Sequence, residues 1–162
     1  MKLITRSLVP AVVCLGLFAM AGAGALAQND SQVGVWKLNV AKSKYSPGPA
    51  PTSATTTIEA AGAATKVTVD QDMADGTKRH YTFTASYDGK EAPVVGNNPD
   101  ADTVARTRVN ASTVRTISKK DGKATTTQTS AVSSDGKTRT VTTTGVNAKG
   151  QKMNNVAVYE RL

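Results

Sequence analysis

Few residues in this chain have side chains suited to acid–base or nucleophilic chemistry. His80 is the one histidine and Cys14 the one cysteine. Cys14 sits in an apolar N-terminal run, so a chain that loses this run keeps no thiol for nucleophilic attack or thiolate coordination. A single imidazole also excludes a histidine-based metal cluster. His80 beside Tyr81 has the proton chemistry of a general acid or base. On an alternating strand, however, it opposes the face carrying Tyr81 and Phe83 and points to solvent. Asp72, Asp75, Asp88, Asp100, Asp102, Asp121 and Asp135 fall in or beside turns, where a carboxylate accepts hydrogen bonds from nearby backbone. The stretch Asn97-Asn98-Pro99-Asp100-Ala101-Asp102 is dense in the oxygen ligands that hard cations select, but it lacks the glycine-centred spacing and bidentate glutamate of an EF-hand. A loop of turn-forming residues accounts for it. Asn110-Ala111-Ser112 matches a glycosylation triplet and serves equally as a short turn. The expectation is a non-enzymatic protein without catalytic residues, metal or cofactor.

The elements that would position a binding site begin after an export-signal pattern: Lys2 and Arg6 precede an acid-free apolar run from Leu8 to Met20, followed by small residues ending in Ala25-Leu26-Ala27. This pattern predicts a cleaved signal peptide over 1–27, with cleavage after Ala27, and a periplasmic or secreted mature chain. The apolar run is shorter than the roughly 20 residues that span a bilayer, so no transmembrane segment is expected in the mature protein. What remains is 135 residues, suited to one domain over 28–162, with 18 basic against 12 acidic residues for a net charge of +6. Its bases are scattered, without the dense runs or interleaved aromatics of a nucleic-acid site, and no nucleic-acid partner is expected. A monomer is favoured. The mature chain has no cysteine, so packing and hydrogen bonding must stabilise it.

From Gln28 onward the chain is rich in Thr, Val, Ala and Ser, and no segment keeps an i, i+3, i+4, i+7 apolar stripe. Asp75-Gly76, Asp88-Gly89, Asp121-Gly122 and Asp135-Gly136 each separate alternating runs, as tight hairpin turns require. The pattern predicts an all-β, antiparallel up-and-down meander of about 8–10 short strands. Alternation places Trp36 with Leu38, Ile58 with Thr56 and Ala54, Val67 with Val69, and Tyr81 with Phe83 on inner faces. Later strands carry threonine on both faces, leaving Val132, Val141, Val156 and Val158 as scattered anchors. A dry sandwich core would be thin there, whereas a barrel removes exposed edges and tolerates a wet, polar interior. The proline-rich stretch Ala41 to Pro51 reads as an extended strap across one end. It is either a lid with Tyr45 as a contact residue, or a rigid linker with Tyr45 packed on the barrel.

Gly34-Val35-Trp36-Lys37-Leu38 at the start and Val156-Ala157-Val158-Tyr159-Glu160-Arg161 at the end resemble the two ends of the calycin group, lipocalin-like and fatty-acid-binding-protein-like barrels above all. The stretch Val35 to Pro49 also resembles the opening of small exported bacterial proteins of uncharacterised function. The resemblance implies an up-and-down barrel with an interior cavity for a small, mostly apolar ligand, and Trp36 plugging or bracing the closed end. Fatty-acid-binding proteins commonly place an Arg-x-Tyr pair on the last strand, where this chain has Ala157-Val158-Tyr159. They also insert a helical pair where this chain has the proline strap.

Other cations stand near enough in sequence to replace the lost arginine. Arg106, Arg108 and Arg115 lie on two successive expected strands, and an inward Arg106 or Arg115 beside the Tyr159 hydroxyl would offer charge-assisted hydrogen bonds to a carboxylate or sulfate. Outward-facing arginines are the alternative. The ligand-binding candidates are thus Trp36, Tyr81, Phe83, Arg106, Arg115 and Tyr159. Two functions follow as expectations. One is an exported carrier of a small amphiphilic or hydrophobic molecule, with a cavity of roughly 300 Å³ or more. The other is a structural or interaction module of the cell envelope, with a filled interior and no small ligand.

Overall fold

The computed structural model describes residues 30–162, and the expected signal peptide lies outside them. The described residues contain no helix and form eleven strands: β1 (Gly34–Lys44), β2 (Ser53–Ala61), β3 (Ala64–Asp72), β4 (Lys78–Ser86), β5 (Asp88–Pro93), β6 (Val95–Gly96), β7 (Thr103–Arg108), β8 (Thr113–Lys120), β9 (Lys123–Val132), β10 (Thr138–Val146) and β11 (Lys152–Arg161). All pairings are antiparallel, in the order β5-β7-β8-β9-β10-β11-β1-β2-β3-β4-β6. The first and last strands are neighbours, with Trp36 opposite Arg161 on one side and Thr56 on the other. One stretch of chain brings the sheet edges together, since β5 pairs with β7 while β6, two residues later, pairs with β4. The result is a nearly closed barrel.

Turn chemistry explains most of the meander. Lys120 and Lys123 flank a two-residue turn in which Asp121 (φ 50°) and Gly122 (φ 73°) both take positive φ, the geometry that matches strand twist. Asp88-Gly89 is a correction, because β4 and β5 do not form a hairpin. There the chain turns a corner at Tyr87 and enters β5 through a register irregularity between Asp88 and Glu91, and Gly89 spends its positive φ on that bulge. The chain after this corner forms two short pieces, β5 and β6, and β1 runs on to Lys44, into the expected strap.

Alternation sorts the walls as the apolar residues demand. Trp36, Leu38, Ala54, Ile58, Val67, Val69, Val132, Val141, Ala157 and Tyr159 form the buried cluster, with Tyr81, Phe83 and Tyr45 packed against it. Burial of each large side chain contributes about 1.5–3 kcal/mol. Val156 and Val158 lie in the opposite phase, because Ala157 and Tyr159 take the inner positions of β11. No helix among the described residues is long and apolar enough to cross a membrane.

Candidate functional site

One end of the barrel is sealed. Trp36 is fully buried, its Nε1 donates to the Gln32 carbonyl at 2.9 Å, and the Arg161 guanidinium lies 4.1 Å from its ring centre. Arg161 in turn donates to three backbone carbonyls, those of Gly136 (2.6 Å), Val33 (2.6 Å) and Ser31 (2.9 Å). Gly34 permits this approach: any Cβ there would collide with the Arg161 guanidinium. Gln32, also fully buried, completes the plug by donating to the Ser112 carbonyl at 2.8 Å and accepting from the Ser130 hydroxyl at 2.8 Å. Trp36 therefore seals the floor from below and does not line the space above it.

Above the plug is a cavity of about 340 Å³. Val67, Val69, Tyr81 and Phe83 from β3 and β4 present an apolar and aromatic wall, while Thr116, Ser118, Thr126, Gln128, Ser130 and Thr143 from β8, β9 and β10 present hydroxyls and an amide. The strap frames the mouth with Tyr45, Pro47, Pro49 and Pro51. It is pinned to β11 by the Ser46 amide, which donates to the Asn155 side chain at 2.9 Å, and by the Asn154 amide, which donates to the Ser46 carbonyl at 2.7 Å. At the same rim Arg79 stands 3.9 Å from Asp100, whose other carboxylate oxygen accepts from the Ala148 amide at 2.8 Å. Asp100 of the oxygen-rich loop thus spends its carboxylate on closing the rim.

Two arginines reach into this cavity. Arg106, on the inner phase of β7 with Val104, is 2 % exposed; it donates through Nη1 to the Thr65 hydroxyl, while its Nε has no acceptor among the described residues. Its guanidinium lies 4.7 Å from the Tyr87 ring centre and 5.8 Å from that of Phe83. Arg139, on β10, is 8 % exposed, donates through Nε to the Ser130 hydroxyl at 2.7 Å and lies 5.6 Å from the Tyr159 ring centre. Among the described residues no carboxylate lies within ion-pair distance of either. Burial, opposed by Tyr159 and reinforced by the Arg106 charge, brings the Arg139 pKa down to about 10, still protonated at neutral pH. Holding buried guanidinium charges without counter-charge costs several kcal/mol, a cost that an anion entering the cavity would offset.

Behind Arg106 lies a compensated pair. Asp30 holds Arg108 at 2.7 Å and accepts from the Tyr87 hydroxyl at 2.5 Å; the Arg108 guanidinium is 4.0 Å from the Tyr87 ring centre. Burial would raise the Asp30 pKa, but the hydrogen bonds from Tyr87, the Gln32 amide and Arg108 outweigh it and hold the carboxyl below its ordinary range. Burial pushes the Tyr45, Tyr81 and Tyr159 hydroxyls upward, so all three are neutral donors at physiological pH.

Of the residues singled out in the sequence, Tyr81, Phe83, Arg106 and Tyr159 meet at the cavity. Arg115 does not. Its neighbours Val114 and Thr116 are buried, so strand alternation turns it to solvent. The cation beside Tyr159 is Arg139, which sequence reasoning left among the scattered bases; its phase with Val141 is the signal that places it inward. Asp30, Gln32 and Tyr87 were also missed. His80 lies on the outer face, its Nδ1 2.7 Å from Asp70. No family model matches this chain, and no curated protein matches its sequence.

Proposed function

We propose that the protein is an exported, non-enzymatic carrier or sensor that holds a small amphiphilic anion inside a calycin-like barrel. The observation that carries this reading is the pair Arg106 and Arg139, buried at a cavity wall without carboxylate partners among the described residues. A fold selected for stability alone replaces such charges with apolar side chains at no loss. The cavity volume of about 340 Å³ lies within the range of small-molecule sites, and its division into an aromatic wall and a hydroxyl wall suits a ligand with one apolar and one polar face. Phe83 and Tyr81 would pack the apolar face, Tyr159 and the hydroxyls of β8–β10 would hydrogen-bond the polar one, and the strap residues Tyr45 to Pro51 would shield the mouth.

Native mass spectrometry of the protein purified gently from its own host envelope, with the released small molecules identified after denaturation, tests the proposal. A reproducible anionic adduct is expected. A bare protein mass, with no thermal shift against a panel of amphiphilic carboxylates, sulfates and phosphates, would overturn it and leave the envelope interaction module.

A further inference from the structure

The charge at the cavity floor constrains the head group more tightly than the word anion does. Two guanidiniums line it, Arg106 and Arg139, and behind Arg106 a third, Arg108, pairs with the carboxylate of Asp30. Asp30 is committed to Arg108 and Tyr87, so that pair is neutral. Two positive charges remain, both on the cavity side and both largely stripped of water. A monoanion would leave one of them uncompensated in a low-dielectric site, whereas a dianion would neutralise both.

Resting on the carrier reading above, we propose that the ligand is a phosphate monoester, whose doubly charged head sits between Arg106 and Arg139. The donors present suit this group. Arg106 is anchored by Nη1 to Thr65 and Arg139 by Nε to Ser130, which leaves Nη2 of Arg106 and both terminal nitrogens of Arg139 as donors to tetrahedral oxygens. A compact head carries both charges on one centre and presents oxygens to both guanidiniums that line the cavity. The body of the ester then extends toward the mouth between Phe83 and Tyr81 on one side and the hydroxyls of Thr116 and Thr126 on the other.

The second ionisation of a phosphate monoester falls near pH 6, and that of a sulfate monoester is absent, which makes charge testable at constant shape. The groups facing the floor do not titrate in the same interval: Asp30 is held low, Tyr81, Tyr87 and Tyr159 are held high by burial, and the arginines stay protonated. At the rim Arg79 and Asp100 pair with each other, Asp75 is held low by hydrogen bonds from Thr77 and lines the mouth with Lys149, and His80 is on the outer face. Calorimetric titration of the folded protein with octyl phosphate, glucose 6-phosphate, octyl sulfate and octanoate at pH 5.0 and 7.5, repeated in His80→Gln, reads the difference.

At least one phosphate ester is expected to bind at least tenfold more tightly at pH 7.5 than at 5.0 in both proteins, while octyl sulfate changes less than twofold. The tighter of the two phosphates identifies a lipid-like or a sugar-like body. Octyl sulfate or octanoate binding as tightly as the phosphates at pH 7.5 would overturn the dianion inference and leave the carrier reading standing. Failure of all four to bind the folded protein would overturn the carrier reading itself.

Discussion

Arg161 and Arg106 are both arginines beside aromatic rings inside one small barrel, and they are treated in opposite ways. At the sealed end Arg161 covers Trp36 and gives its hydrogen bonds to three backbone carbonyls. In the cavity Arg106 covers Tyr87, keeps one protein hydroxyl as acceptor and leaves its Nε without one among the described residues. The first arrangement ties the start of β1 to the end of β11 and serves folding. The second holds a buried charge on one hydroxyl, with no carboxylate within ion-pair distance among the described residues. On the proposed reading, stability and binding belong to separate ends of the barrel, and substitutions should separate them.

The largest effect belongs to the plug. Trp36→Ala removes the fully buried indole together with its bond to Gln32, and is expected to cost about 3–5 kcal/mol in urea unfolding. Next comes Arg161→Met, which orphans three carbonyls and is expected to cost about 2–3 kcal/mol while the cavity keeps its affinity for anions.

Asp30→Asn sharpens the boundary between the ends, since Asp30 belongs to the plug but faces the Arg106 side. A carboxyl whose folded pKa is depressed contributes stability above its unfolded pKa and loses it as pH falls through the folded value. The native protein should therefore lose stability below about pH 4, and the variant, about 1–2 kcal/mol weaker at pH 7, should show a shallower acid slope in thermal melts. Arg115→Gln, on the outer face, should leave stability within about 0.5 kcal/mol and affinity unchanged.

The sealed end was the more legible region. Gly34-x-Trp36 and the alternation of Leu38 and Ile58 name the inner face because apolar and polar residues contrast along each strand. On β9 and β10 threonine occupies both phases, so Arg139 stands out only through Val141, two residues on. Gln32 precedes the first strand and has no periodicity to read; its burial depends on Ser112 and Ser130, 80 and 98 residues away. The Asp30–Tyr87 bond likewise joins residues 57 apart, a contact created by barrel closure rather than by any local pattern. Asp88-Gly89 misled for a related reason: a dipeptide fit for a hairpin serves equally for a bulged corner, and only the pairing of β5 with β7 decides between them.

The central claim is that the cavity arginines are retained for a ligand and not for the fold. Arg106→Met tests it most directly, with equilibrium unfolding and octyl phosphate titration measured on the same preparation. Unchanged stability or a gain of about 1–2 kcal/mol is expected, because an uncompensated buried charge is replaced by an apolar chain, together with at least a tenfold loss of affinity. Clear destabilisation with affinity intact would contradict it and make Arg106 a structural residue like Arg161.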